Sequence, residues 1–182
     1  MLTILIGPSG VGKNSVIDQL KKRHPGLKSM KTVTTRPKRE NGNGPYIHVS
    51  REQFDEMVKR GEFFEYENVH ADLFYGTLFA TLEEIKQSKD SYIKDIDVHG
   101  ALKIQAYLGR ENCKTVFLDA PDEILKTRLL KRGESEEMVK VRMGRYEMER
   151  EFAGQFDAVI QNIDLEKTVD EVERFVGSKN LA

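Results

Sequence analysis

The chain is poor in three things, and each absence excludes something. Cys113 is the only cysteine among 182 residues, so no internal disulfide can form and a reducing compartment is the natural reading. Its setting in "NCKTVFLDA" is that of a buried structural thiol, not a nucleophile. No window approaches the roughly 20 apolar residues needed to span a bilayer. The N-terminus lacks a basic region followed by an apolar stretch and a small-residue cleavage site. Charge of one sign is also missing: the net charge is −1, so bulk attraction to nucleic acid or an anionic membrane is not expected, and anion binding must come from local clusters. The expectation is a soluble, cytoplasmic protein with no nucleic-acid or membrane partner, acting as a monomer or homodimer.

What is present is alternation. Four apolar, β-rich segments read as buried strands: residues 2–7, 91–100, 115–120 and 157–162. Helical patterns lie between them, in "NSVIDQLKKR", "TLEEIKQS", "HGALKIQAYLG", "DEILKTRLLKRG", "SEEMVKVRMGRYEMEREF" and "LEKTVDEVERFVGS". Strands alternating with helices imply an α/β fold with a largely parallel sheet. Residues 31–80 break the pattern. They hold short β-like pieces, the turn "ENGNGP", one helix in "SREQFDEMVKRG", and a density of tyrosine, threonine and arginine. That stretch reads as an inserted lobe, and the arginine-rich helical stretch 122–150 as a second, mobile one. The core is then 1–30, 81–121 and 151–182.

"GPSGVGKNS", Gly7 to Ser15, follows the first strand and opens the first helix. In that context it reads as a phosphate-binding P-loop, G-x-x-x-x-G-K-[ST]. Gly7, Gly10 and Gly12 let the main chain approach an anion closely. The N–H groups of Pro8–Ser15 that exist, those of Ser9, Val11 and their neighbours, then face it together with the helix N-terminus. Lys13 reaches the outer phosphates as a point charge. Asn14 stands where a metal-binding hydroxyl is usual. Its amide oxygen is also a hard-cation ligand, and Ser15 supplies a hydroxyl one position later. Asp95 and Asp97 are read as closing a strand on one face, directed at the ligand crevice and suited to holding water around a metal.

Further motifs carry a resemblance. "TVTTRPKR" at 32–39, "PYIHVSREQF" at 45–54, "GEFFEYENVH" at 61–70, "FYGT" at 74–77, "DIDVHGA" at 95–101, "RLLKRG" and "SEEMVKVRM" occur in one order over nearly the whole chain. Together they resemble the guanylate kinase family, whose members transfer the terminal phosphoryl group of ATP to GMP or dGMP with Mg²⁺. The resemblance implies a P-loop NTPase-type parallel sheet flanked by helices, a GMP-binding lobe at 31–80 and a helical lid at 122–150. It implies that Arg36, Arg39, Tyr46 and Tyr75 grip the monophosphate, that guanidinium forks do so bidentately, and that Glu65 reads guanine with Thr32, Thr77 and Asp97 nearby. One carboxylate accepts from both N1–H and N2–H₂ of guanine, whereas adenine lacks the N1 proton. Arg132 and Arg142 match the lid arginines that reach the migrating phosphate. Arg128 shares a similar helix face with Arg132. Lys13, Arg36, Arg132 and Arg142 are the expected catalytic set, and Asn14 and Asp95 the expected metal contacts.

The pattern has departures: Asn14 in the loop, "MKTV" at 30–33, a short link from Arg39 to Tyr46, and Lys94 at a strand position that is usually apolar. His48, His70 and His99 have no metal-site spacing and are read as structural. Two alternatives stand beside the kinase reading: a non-catalytic guanylate-kinase-like domain that binds phosphopeptides, and a kinase of this fold acting on another small phosphorylated substrate. Retention of Lys13, Arg132 and Arg142 argues against the first. Glu65 with Thr32 and Thr77 argues against the second. In related small kinases carrying Gly-Lys, a non-hydroxyl residue and then a hydroxyl, the later hydroxyl serves the α-phosphate, so Ser15 is expected to outweigh Asn14.

Overall fold

"LTILI" is buried at every position, as a strand must be when helices cover both faces of its sheet. In the computed structural model, which describes residues 1–38, 45–70 and 73–181, it is β1 (Leu2–Ile6). The other strands are β2 (Lys28–Ser29), β3 (Thr32–Thr34), β4 (Tyr46–His48), β5 (Phe63–His70), β6 (Leu73–Leu78), β7 (Tyr92–Asp95), β8 (Cys113–Asp119) and β9 (Ala158–Gln161). The helices are α1 (Lys13–Arg23), α2 (Arg51–Lys59), α3 (Phe79–Gln87), α4 (Val98–Leu108), α5 (Asp122–Lys131), α6 (Glu136–Glu151) and α7 (Leu165–Val176). Two compact units divide the chain: Met1–Lys28 with Asp90–Ala182, and Ser29–Lys89.

The first unit is built on a five-stranded sheet in the order β2-β7-β1-β8-β9. β1 runs parallel to both β7 and β8, and β8 runs parallel to β9. One face buries Leu5, Ile93, Val116 and Leu118 against Val16 and Leu20 of α1 and Val169, Val172 and Val176 of α7. α4 packs on β1 and β8. At about 25 cal/mol per Å² of apolar surface removed from water, a fully buried aliphatic side chain contributes roughly 1.5–3 kcal/mol. These contacts are the main stabilising term of the unit. Cys113 is among the buried residues, and burial pushes its thiol up to about 12.

Polar contacts then fix the periphery. Arg23 at the end of α1 pairs with Glu166, Asp170 and Glu173 along α7. Asp157 accepts from the backbone N–H and hydroxyl of Thr115, both at 2.9 Å, and from the Gln105 amide. Arg150, near the end of α6, donates to both carboxylate oxygens of Asp119 at 3.0 and 3.1 Å, to Asp122 at 2.6 Å and to the carbonyl of Ala120 at 2.8 Å. One guanidinium thus fastens the point where the chain leaves β8 to the point where it returns from the α5–α6 pair.

The expected strand over 91–100 is too long. β7 stops at Asp95, and Asp97 is instead the N-cap of α4, its carboxylate accepting from Gly100 N at 2.9 Å. A short acidic side chain ahead of "VHGA" satisfies a helix-end donor better than it serves a strand. Asp95 and Asp97 therefore do not share a strand face: the first ends β7 and the second caps α4.

The second unit has its own four-stranded sheet, β4-β3-β6-β5, with β3 parallel to β4 and antiparallel to β6. α2 begins at a capping box, Ser50 accepting from Gln53 N while Gln53 reaches back to Ser50 N. It buries Phe54 against Val33 and Phe63, with Phe74 and Leu78 alongside. Phe54 and Phe63 stack with centroids 4.5 Å apart. α3 packs on β6 and belongs to this unit.

Candidate active site

The loop between β1 and α1 needs its glycines. Gly7, Gly10 and Gly12 have φ of 130°, 91° and 104°, a region closed to most side chains. A Cβ on Gly7 would lie 2.1 Å from the carbonyl oxygen of Leu118 in β8, and one on Gly12 2.6 Å from Asn162 Nδ2. The loop is therefore pressed against the ends of the neighbouring strands. Gly12, in the left-handed region, caps α1, whose N-terminal N–H groups are directed at whatever the loop encloses.

Lys13 folds back over this loop, donating from Nζ to the carbonyls of Gly7 and, at 3.2 Å, of Pro8. Burial lowers its pKa, and the carboxylates of Asp95 and Glu149 act against that shift. Glu149 responds in kind: burial raises its pKa, with Lys13 opposing. Asp95 lies at the end of β7, in register with Leu5. Its Oδ1 stands 3.8 Å from the Nζ of Lys94, so the lysine that broke the apolar pattern has this acid as its neighbour. Burial lowers the Lys94 pKa as well, with Asp95 opposing.

A cleft of about 380 Å³ opens beside the loop, within the usual size range of small-molecule sites. Gly10, Gly12 and Ser15 form one wall, Arg128, Lys131 and Arg132 of the α5 region another, and Asn162 and Leu165 close it. Both Asn14 and Ser15 are exposed on the first turn of α1, and of the two it is Ser15 that lines the cleft. Arg128 donates to the carbonyl of Val11 at 2.9 Å. Asn162 donates to the same carbonyl at 2.7 Å, and its buried Oδ1 has no hydrogen-bond partner among the described residues. Arg142 donates from Nη1 to Ser9 Oγ at 2.8 Å and pairs through Nε with Glu134.

In the second unit, pairing gathers the other candidates onto one face. Glu65 lies opposite Thr77, Thr34 opposite Tyr75, and Thr32 beside Tyr46. Tyr75 and Thr77 share a face by the two-residue period, while Phe74, Gly76 and Leu78 point to the other, against Phe63 and Phe54. A register shift between Phe63 and Glu65 lets neighbours two apart in sequence serve opposite faces, which is what a bulge does. Tyr46 and Tyr75 meet edge to face at 5.9 Å. Thr32 Oγ1 is buried with no hydrogen-bond partner among the described residues. Arg36 follows β3 at a bend. Its N–H donates to Thr34 Oγ1 at 3.1 Å and its carbonyl accepts from the His48 ring at 2.7 Å. Arg39 lies outside the described residues, as does the side chain of His70. Asp97 belongs to the first unit. His99 packs edge-on against Phe152.

Sequence reasoning passed over Lys131, Asn162, Leu165, Glu134 and Tyr146. Asn162 had one usable signal, a polar residue at the C-terminal end of a strand expected to be parallel, where such sheets open their crevices. Lys131 and Leu165 meet the loop across the cleft and Tyr146 bonds it from 137 residues away, while Glu134 acts on it only through Arg142.

A parallel sheet whose first strand runs into this loop, with a cationic cleft against the following helix, defines a P-loop α/β nucleotide-binding protein. The guanylate kinase family model matches residues 1–179. The guanylate kinase of Thermotoga maritima is 39% identical over 185 residues, covering 98% of this chain and 86% of that protein. That of Bacteroides thetaiotaomicron is 34% identical, covering 98% and 91%. Among solved structures, guanylate kinase from Anaplasma phagocytophilum superposes with a TM-score of 0.72 at 25% identity, over 100% of this chain and 87% of that one. Shikimate kinase from Aquifex aeolicus, at 15% identity and a TM-score of 0.50, shares the fold alone. The chain belongs to the guanylate kinase family.

Proposed function

We propose that this protein is an ATP-dependent GMP/dGMP kinase of the cytoplasm, converting ATP and GMP to ADP and GDP. In this reading the second unit is the GMP-binding lobe and α5 with α6 is the lid. The observation that carries the choice of guanine is the polar face on which Glu65 stands opposite Thr77, with the buried Thr32 hydroxyl, which has no hydrogen-bond partner among the described residues, on the same sheet. A carboxylate there takes the two donors of a guanine edge. An adenine edge leaves it unsatisfied, a loss that translates into strong discrimination.

Phosphoryl transfer asks for alignment, charge neutralisation and exclusion of water, and little covalent chemistry from the protein. The loop N–H groups and the α1 N-terminus bind the triphosphate, and Ser15 serves it with its hydroxyl. Lys13 leaves the Gly7 and Pro8 carbonyls for the outer phosphates. Arg132 and Arg142 bring charge to the migrating group, and Arg142 enters that task already oriented by Glu134 and Ser9. Arg36, Arg39, Tyr46 and Tyr75 hold the acceptor phosphate.

The residues present suit Mg²⁺. Asp95, Asn14 and Ser15 offer hard oxygen donors, and no group of three or more His, Cys, Asp or Glu suited to a metal occurs among the described residues. Mg²⁺ characteristically keeps several waters and takes one or two carboxylates plus substrate phosphates. When bound, it offsets charge on the phosphate oxygens. Asp95 would hold such an ion through water, with the Asn14 amide oxygen as a further hard donor.

A coupled ADP-release assay across GMP, dGMP, AMP, CMP, UMP and dTMP tests the proposal. GMP or dGMP turns over well above the rest; equal turnover with AMP refutes the role given to Glu65. No helix among the described residues is long and apolar enough to cross a membrane.

A further inference from the structure

Tyr146 is the largest of the fully buried side chains, 1% exposed, on a helix whose sequence, "EEMVKVRMGRYEMERE", is mostly polar. A buried phenol ordinarily finds a partner for its hydroxyl. This one donates to the carbonyl oxygen of Ser9, inside the glycine loop and 137 residues away in sequence. A Cβ on Gly10 would stand 3.5 Å from the same phenolic oxygen and 3.0 Å from Leu129 Cδ2, so Tyr146 and Leu129 form the surface on which Ser9 and Gly10 rest. One turn earlier on the same helix face, Arg142 holds the Ser9 hydroxyl. Burial pushes the phenol up to about 12, so it remains a donor across the working pH range.

The Ser9–Gly10 peptide is trans, like every peptide bond described, so its carbonyl and its N–H point in opposite directions. Gly10, at φ 91°, has no Cβ to oppose rotation of that unit. A flip would exchange the Gly10 N–H for the Ser9 carbonyl on the side that faces the cleft, replacing a donor to phosphate by a repelling oxygen. We propose that Tyr146 is a positioning residue that locks the Ser9–Gly10 peptide with its N–H toward the triphosphate. The inference rests on ATP occupying the loop, as argued above. It also makes α6 a sensor of loop geometry, since one helix face grips both the main chain and the side chain of Ser9.

Tyr146→Phe tests it, because the ring and its packing are kept and only the hydroxyl is lost. ADP dissociation constants are measured by direct titration for wild type and variant, with KM for ATP and for GMP and the thermal midpoint alongside. The expected result is ADP and ATP binding weakened about tenfold, as loss of one buried hydrogen bond that orders the loop implies, with the KM for GMP unchanged. Equal ADP affinity in the two proteins overturns the inference, since packing alone would then account for the residue. A parallel rise in the KM values of ATP and GMP also overturns it, as the mark of a fold-wide role. A wild type that fails to bind ADP would sink the ATP reading itself and this inference with it, whereas equal binding removes only the inference. Should the variant's thermal midpoint drop, the nucleotide-specific split between the two KM values still decides.

Discussion

Glu65 on β5 stands directly across the ladder from Thr77 on β6, while Phe63, two residues before it, packs into the apolar cluster behind the same sheet. The shift of register between them gives the carboxylate a polar face to occupy. Glu65→Gln keeps the size and removes the second acceptor. The expected outcome is a fall in kcat/KM for GMP of roughly 10- to 100-fold, with ADP affinity retained. Unchanged GMP kinetics would show that the base is read elsewhere.

Lys13 carries a different load. Its ammonium is held on the loop carbonyls with Asp95 and Glu149 supporting its charge. Lys13→Ala should lower kcat by at least about 100-fold, the scale for removing one preorganised group that stabilises developing charge. Far-UV circular dichroism should remain that of the wild type. Near-normal turnover would dismiss the loop as the phosphate site.

Ser15 lines the cleft and Asn14 does not. Ser15→Ala is therefore expected to cost more in kcat/KM for ATP than Asn14→Ala, by about one hydrogen bond to a charged group, or roughly tenfold. Titrating Mg²⁺ at fixed ATP separates the roles. A rightward shift of the Mg²⁺ curve in Asn14→Ala alone would make the asparagine a direct metal ligand and reverse the order.

Asp157 yields a pH prediction. Burial works against its charge, yet hydrogen bonds from Thr115 and Gln105 and the nearby Arg110 together hold its pKa below the usual carboxylate value. A depressed folded pKa contributes stability that is fully present above the unfolded value, about 3.9, and is lost as pH falls through the lower folded value. Asp157→Asn should destabilise by about 1–3 kcal/mol at neutral pH. In denaturant titrations that difference should stay level between about pH 5 and 8 and shrink below about pH 4. A difference that grows on acidification would contradict the assignment.

The reach of sequence reasoning followed the range of the interactions. "LTILIGPSGVGK" declared its strand, turn and helix because each depends on neighbours in the chain: apolar continuity, positive φ at glycine, a cap. β8 and α7 were legible for the same reason. Asp97 was misread because a strand end and a helix cap look alike when a strand, a short link and a helix follow in quick succession, and the local hydrogen bond to Gly100 decided between them. β2 was missed because two residues carry no period. The bulge before Glu65 and the grip of Tyr146 on Ser9 left no local mark, and Asn162 showed only its place at a strand end, not its bond to Val11. Lys94 was visible as an anomaly with an acid next to it in the chain, and the fold adds that its ammonium stands 3.8 Å from the Asp95 carboxylate.

The clasp made by Arg150 has an implication for how this chain can change. Departure from β8 and return from α6 are tied at one place, and Leu125, Leu129, Val139 and Tyr146 anchor the branch to the core, so the turn between α5 and α6 is the part whose length the sheet need not register. Gly133, at the tip between α5 and α6, has nothing within 4 Å of where a Cβ would sit. Residues can be gained or lost there while the clasped ends keep their spacing, so the branch can diverge in length and reach among relatives without renegotiating the fold beneath it.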